Sequence, residues 1–278
     1  MSEQIQRHPI TMKEVVCHIP GMDAVRIERD VEYRTTEAGV LTMDLYYPTQ
    51  EGEPSRRAEP DARIPAVVIV EGYSDVGYEA FTGCKFKDTG FCVSWGRLIA
   101  ASGLVAIAYT NREPVADLQM LLRHVRQNAA SLGVDEDRIG VWASSGNAPL
   151  ALSVLMQDGR DFVKCAVLCY PFTLDLDGST AVAEAAGTWK FVNPVAGTSV
   201  ADLPPDLPLF VARAGQDEFP HLNETLDRFL AHALAHNLPI TFVNHPAAPH
   251  AFDLVDDTET SRQIVRQILA FLQWRLLR

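Results

Sequence analysis

The sequence predicts an α/β protein: a mostly parallel, doubly wound sheet with an antiparallel start and helices on both faces. Three observations point there. Short, mainly apolar runs at 65–70 (PAVVIV), 104–109 (LVAIAY) and 163–170 (VKCAVLCY) have the length and branching of strands buried on both faces. Between such runs lie stretches with helical spacing. The clearest is 114–132, with Val115, Leu118, Leu121, Leu122, Val125 and Ala129 on one face and Gly133 just past its end. Ahead of the first buried run, 25–31 and 40–47 flank a Thr-Thr-Glu-Ala-Gly turn and read as an antiparallel hairpin. Strands that alternate with helices after such a start imply parallel pairing through crossover helices.

The other elements follow in order. A helix is predicted over 94–102, stopped by Gly103, then a strand over 138–142 and a helix from 148. A strand over 209–214, a helix over 222–237, a strand over 240–244 and an amphipathic helix over 258–277 complete the pattern. Residues 74–93 and 172–208 read as long irregular segments, and the charged, Pro-rich 50–63 as a surface loop within a single domain spanning 1–278.

Composition narrows the classes of function. With 278 residues, 47% of them hydrophobic, the chain can bury one large core. A net charge of −12 argues against nucleic acid or an anionic membrane as partner. No run approaches a membrane span, and the first residues lack a basic-then-apolar leader, so a cytoplasmic protein is expected. Five cysteines without a C-x-x-C form neither a disulfide framework nor a zinc pattern and are expected to be reduced, Cys165 and Cys169 in the core. The C-terminal helix gives no clear dimer signal, so a homo-oligomer is left open.

The chemistry concentrates at 138–150, RIGVWASSGNAPL, where a strand runs into small residues and then a helix with Pro149 in its first turn. That is the setting of a nucleophile elbow, whose usual G-x-S-x-G stands here as Ala143-Ser144-Ser145-Gly146-Asn147. Ser145 is the expected nucleophile, since choosing Ser144 would put the bulky Trp142 at a position that must be small. The alternative is an ordinary turn whose serines cap backbone groups.

In a parallel sheet, ligands sit at the carboxyl ends of the strands, so the partners of a nucleophile belong in strand-end loops. A serine hydroxyl needs a base to take its proton and an acid to orient the base. The loop after 209–214 offers Asp217, with Glu218 beside it. The loop after 240–244 offers His250, with His245 as the other histidine. The order Ser, Asp, His along the chain is the one this elbow uses. His221, His232 and His236 read as solvated. The acidic pair Asp175 and Asp177 in TLDLDG lacks the rest of a twelve-residue calcium loop, so no metal is expected.

Taken together, VLTMDLYYP, DRIGVW before the elbow, the G-x-D-x-x-P of Gly215 to Pro220 and the PHAF around His250 resemble the α/β-hydrolase fold family, in particular its esterase and dienelactone-hydrolase-like branches. The resemblance spans nearly the whole chain. It implies a triad of Ser145, Asp217 and His250. Serine at the elbow, where dienelactone hydrolases carry cysteine, points to a serine esterase acting on a small-molecule carboxylic ester, with no cofactor. The same machinery also serves thioesters, lactones, amides and peptides, and a member that only binds a ligand or partner is the distant alternative.

An oxyanion hole needs two donors. The residue after the nucleophile, Gly146, supplies one backbone N–H. The loop after the first buried strand reads Glu71-Gly72-Tyr73-Ser74, with Glu71 where many relatives have histidine. Its Gly-Tyr is similar to cutinase-type hydrolases, which implies the Tyr73 backbone as the second donor. Segments 74–93 and 172–208 are expected to cover the site, with Tyr73, Phe81, Phe86, Trp95 and Trp189 as aromatic walls, Trp189 and Trp95 foremost as substrate contacts.

Overall fold

The structure, a computed structural model, describes residues 7–49, 63–157, 159 and 161–278. Apart from Arg63, the predicted surface loop at 50–63 lies outside the described residues. The elements run β1 (Arg26–Thr36), β2 (Gly39–Tyr47), β3 (Ile64–Ile69), α1 (Asp75–Thr82), α2 (Gly90–Ala101), β4 (Val105–Tyr109), α3 (Pro114–Gln127), α4 (Ala129–Leu132) and β5 (Val134–Ser144). They continue with α5 (Ala148–Met156), β6 (Val163–Cys169), α6 (Ala181–Trp189), β7 (Leu209–Ala214), α7 (Leu222–Ala235), β8 (Ile240–His245), α8 (Phe252–Val255) and α9 (Glu259–Leu276).

Eight strands form one sheet in the order β1-β2-β4-β3-β5-β6-β7-β8. The pairs β1/β2 and β2/β4 are antiparallel, and every pair from β4/β3 onward is parallel. Alternation along each strand divides the buried residues between two cores. Ala66, Val68 and Val70 join Val141 and Ala143 in a core covered by α3, α5 and α7, whereas Val67, Ile69 and Trp142 face a second core under α2 and α9. The mostly parallel, doubly wound sheet with an antiparallel start is therefore what the sequence predicted.

The differences have local causes. Helix α2 starts at Gly90, four residues earlier than predicted, because the Thr89 hydroxyl accepts the Cys92 N–H (3.1 Å) and caps it. The predicted helix 114–132 is divided at Asn128 into α3 and α4, and the Asn128 side-chain amide donates back to His124 O (2.9 Å). Strand β5 begins at Val134, which pairs with Ile64, and the polar 135–137 fall in a register shift before the pairing resumes at Ala66 and Ile139. The two segments read as irregular contain helices. Helix α1 lies in 74–93. In 172–208, α6 is started by the Asp175 carboxylate, which accepts the Val182 and Ala183 N–H groups (2.8 and 2.9 Å). Asp175 is thus a helix cap, and Asp177 meets the His232 ring (3.1 Å).

Candidate active site

Strand β5 ends at Ser144, one tight turn spans Ser145–Asn147, and α5 begins at once. Ser145 has φ 52, a left-handed conformation that costs a non-glycine residue energy. The turn pushes Ser145 outward: it is half-buried, while Ser144, Gly146 and Asn147 are buried. The His250 Nε2 atom lies 2.9 Å from Ser145 Oγ, and His250 Nδ1 lies 2.6 Å from Asp217 Oδ2. A carboxylate can only accept, so Nδ1 carries the ring proton and Nε2 is free to accept from the serine hydroxyl.

The two strand-end loops are tied to each other. Asp217 is aimed by the Phe219 N–H, which donates to Oδ1 (3.0 Å), and its carboxylate has no exposed surface. The Gly215 N–H donates to His245 O (2.9 Å) and the Gln216 N–H to Ala248 O (2.8 Å). A Cβ on Gly215 would stand 2.5 Å from Pro246 O, so this close approach admits only glycine. Ser145, His250 and Asp217 are brought into one line. Glu218 points to solvent, and His245 is buried against Asp256 (3.1 Å).

His250 borders a closed group of rings. Tyr170 meets the imidazole edge-on at 4.8 Å between centroids, and its hydroxyl donates to Asp253 Oδ1 (2.7 Å). The Trp95 indole N–H donates to the other oxygen of Asp253 (2.9 Å) and stacks at a tilt on Trp142 (4.7 Å). Burial raises the Asp253 carboxyl above its ordinary range, against the opposing pull of those two hydrogen bonds. The expectation that Trp95 lines a substrate pocket is corrected here: a side chain with 0% exposure, saturated by a core carboxylate, cannot be the wall of an open site. Phe86 is likewise buried, against Tyr78 and Phe91, and Phe81 stands exposed next to His8.

A second group of rings meets His250 and is arranged differently. Phe219 lies over the imidazole at 4.3 Å and meets Trp189 (5.1 Å) and Phe172 (6.2 Å), while Phe172 stacks on Phe191 (5.3 Å) and Phe191 meets Tyr73 (6.1 Å). Trp189 is 48% exposed, so of the two tryptophans expected at the site it is the one with surface to offer. Phe172, Phe191 and Phe219 escaped the sequence reading. Phe219 alone carried a usable signal, sitting two residues after Asp217.

The loop after β3 is held at every peptide. The Glu71 N–H donates to Tyr109 Oη (3.2 Å) and the Gly72 N–H to Asn147 Oδ1 (2.7 Å), and Gly72 O accepts the Val192 N–H (2.9 Å). The Asn111 amide donates to Tyr73 O and to Glu71 Oε2 (3.0 Å each). A Cβ on Gly72 would stand 2.8 Å from Gly146 O, so the loop sits directly on the elbow. On the other side, a Cβ on Gly146 would stand 2.5 Å from Tyr73 Oη and 2.6 Å from the Phe191 ring. Burial and the nearby Asp75 push the Glu71 carboxyl well above its ordinary range, and burial raises Asp75 to about 6.

Sheet order, helix placement and the strand-to-helix turn at Ser145 define an α/β-hydrolase fold, and comparison with solved structures bears this out. A serine-to-alanine mutant of an α/β hydrolase enzyme from the metagenome of Lake Arreo, Spain, superposes with a TM-score of 0.66 at 20% identity, covering 89% of this chain and 81% of that one. A hyperthermophilic esterase from Pyrobaculum calidifontis gives 0.63 at 21% identity over 91% of this chain and 88% of that one. An esterase of Thermogutta terrifontis gives 0.62 at 20% over 91% and 93%. No protein-family model and no curated protein matches the chain. Among the described residues, no helix is long and apolar enough to cross a membrane.

Proposed function

We propose that the protein is a serine hydrolase that cleaves carboxylic esters of small molecules through an acyl-enzyme. One observation carries the reading: Ser145, on strained backbone at a strand end, lies 2.9 Å from a histidine whose other nitrogen is 2.6 Å from a buried aspartate. In the first half-reaction His250 takes the Ser145 proton as Oγ attacks the ester carbonyl. Asp217 holds the ring and stabilises its positive charge, and the N–H groups of Tyr73 and Gly146 meet the carbonyl oxygen as it becomes negative. The intermediate collapses when His250 gives the proton to the leaving alcohol. His250 then takes a proton from water, which attacks the acyl-enzyme, and returns it to Ser145. Trp189 and Phe219, on the open side of the imidazole, contact the substrate.

The esterase neighbours support this reading over a thioesterase or peptidase, and Ser145 in place of cysteine favours it over a dienelactone-hydrolase chemistry. The test is labelling with a fluorophosphonate probe followed by peptide mass spectrometry, alongside hydrolysis of p-nitrophenyl esters. The probe is expected on Ser145, and Ser145→Ala is expected to abolish labelling and to lower kcat by on the order of 10⁴-fold or more. A wild-type protein that neither takes up the probe nor cleaves short esters would falsify the reading and leave a ligand-binding protein.

A further inference from the structure

Asn147 stands where the elbow pattern calls for a second glycine, and its own backbone gives no reason for either residue: φ −81 and ψ −19 are ordinary right-handed values. Its side chain supplies the reason. Oδ1 reaches across a separation of 75 residues to accept the Gly72 N–H at 2.7 Å, and the residue is 3% exposed. Gly72 O is held from the opposite side by the Val192 N–H (2.9 Å), which belongs to the covering segment after α6. A trans peptide points its C=O and N–H in opposite directions. Fixing Gly72 O on Val192 therefore turns the N–H of the same peptide, that of Tyr73, away from the covering segment. Tyr73 N–H has no hydrogen-bond partner among the described residues, whereas the N–H groups of Glu71 and Gly72 are both taken.

From this geometry we infer that Asn147 is a positioning residue for the oxyanion hole: its side-chain oxygen docks the β3 loop onto the elbow and presents the Tyr73 N–H to the developing oxyanion. The inference rests on the ester-hydrolase reading. It gives a mechanical meaning to the broken elbow motif, since the turn that carries the nucleophile also carries the tether for the opposite donor. The nucleophile and the two donors then move as one unit. Oxyanion donors act only if preorganised, so loosening one is felt in the transition state and not in ground-state binding.

The experiment compares Asn147→Ala and Asn147→Asp with the wild type, measuring kcat and KM on a p-nitrophenyl ester, the inhibition constant of a trifluoromethyl ketone, and thermal unfolding. The ketone adds Ser145 Oγ to its carbonyl carbon, passes the serine proton to His250 and leaves a negative oxygen in the hole, so its affinity reports the donors directly. Asn147→Ala is expected to lower kcat and ketone affinity together, each by on the order of 10- to 100-fold, with KM changed less than about 2-fold. Asn147→Asp, which keeps an acceptor for the Gly72 N–H, is expected to recover most of both. An Ala variant with unchanged kcat, with a loss confined to KM, or with kcat lowered while ketone affinity holds overturns the assignment. An Ala variant that fails to fold makes Asn147 a structural residue only and overturns it too. Failure of the underlying reading looks different: there the wild type itself hydrolyses no ester and is not labelled by a fluorophosphonate.

Discussion

The two groups of rings that meet at His250, a floor led by Tyr170 and a roof led by Phe219, differ in what satisfies them. On the floor, Tyr170 and Trp95 converge on one carboxylate, Asp253, and have almost no exposed surface. On the roof, Phe219, Trp189, Phe172 and Phe191 meet one another, the imidazole and the Tyr73 ring, and Phe219 and Trp189 keep open faces. Rings locked by polar partners on one side fix where the imidazole sits, while rings without polar partners on the other leave apolar surface for a ligand. The same residue type therefore does opposite work a few ångströms apart, and the substitutions that follow separate the two.

The largest effect is expected from Asp253→Ala. It leaves the Trp95 N–H and the Tyr170 O–H facing a dry core, and each buried donor without a partner costs about 1–3 kcal/mol. Urea unfolding should show a loss of about 2–5 kcal/mol, accompanied by a fall in kcat as Tyr170 ceases to hold the imidazole edge. Stability within about 1 kcal/mol of wild type would mean that the carboxylate does not organise the floor.

A crossed pair of tryptophan substitutions sharpens the contrast. Trp95→Phe keeps most of the ring but removes the N–H on Asp253, so it should cost about 1–3 kcal/mol of stability and leave the preference among p-nitrophenyl esters of different chain length untouched. Trp189→Ala should do the reverse. Its half-exposed ring contributes less to folding, about 1 kcal/mol or below, while KM for bulky or aromatic esters rises by about 3- to 10-fold relative to acetate. Equal selectivity profiles for Trp189→Ala and wild type would remove the roof from substrate recognition.

What the sequence disclosed and what it withheld follow the same division. Ser145, Asp217 and His250 were legible because each stands just past a recognisable strand, and a parallel sheet gathers such loops at one end. The order of the elements was legible for the same reason, since apolar runs and helical spacing are local signals. The role of a ring or an amide is not local. Trp95 meets Asp253 across 158 residues and Tyr170 meets it across 83, so nothing near Trp95 in the chain marks it as a core donor rather than a pocket wall. Asn147 was visible only as a broken motif, because its partner Gly72 lies 75 residues away in the loop after β3. Helix α6 was hidden by Gly187 within a short Ala-rich stretch and by a cap, Asp175, six residues ahead of its first turn.

The last prediction concerns a second buried carboxyl, which makes a useful counterpart to Asp253. Asp75 sits beneath the β3 loop and accepts two backbone N–H groups, from Asn111 (2.9 Å) and Phe86 (3.4 Å), instead of two side chains. Burial outweighs those bonds and raises its carboxyl from 3.8 to about 6. Because the folded protein holds this proton more tightly than the unfolded chain, the stabilisation is present below about pH 4 and is lost as pH rises through about 6. At about 1.4 kcal/mol per pH unit of difference, the full loss amounts to about 3 kcal/mol, of which about 2 kcal/mol falls between pH 4.5 and 7. Asp75→Asn does not titrate, so it should be less stable than wild type at pH 4.5, where its amide can serve only one of the two N–H groups. The gap should then narrow as pH rises to 7. Urea unfolding of both proteins across that range measures it. A gap constant to within about 0.5 kcal/mol would show that Asp75 is charged throughout, and that backbone donors can hold a buried carboxylate under the loop as firmly as side chains hold one under the imidazole.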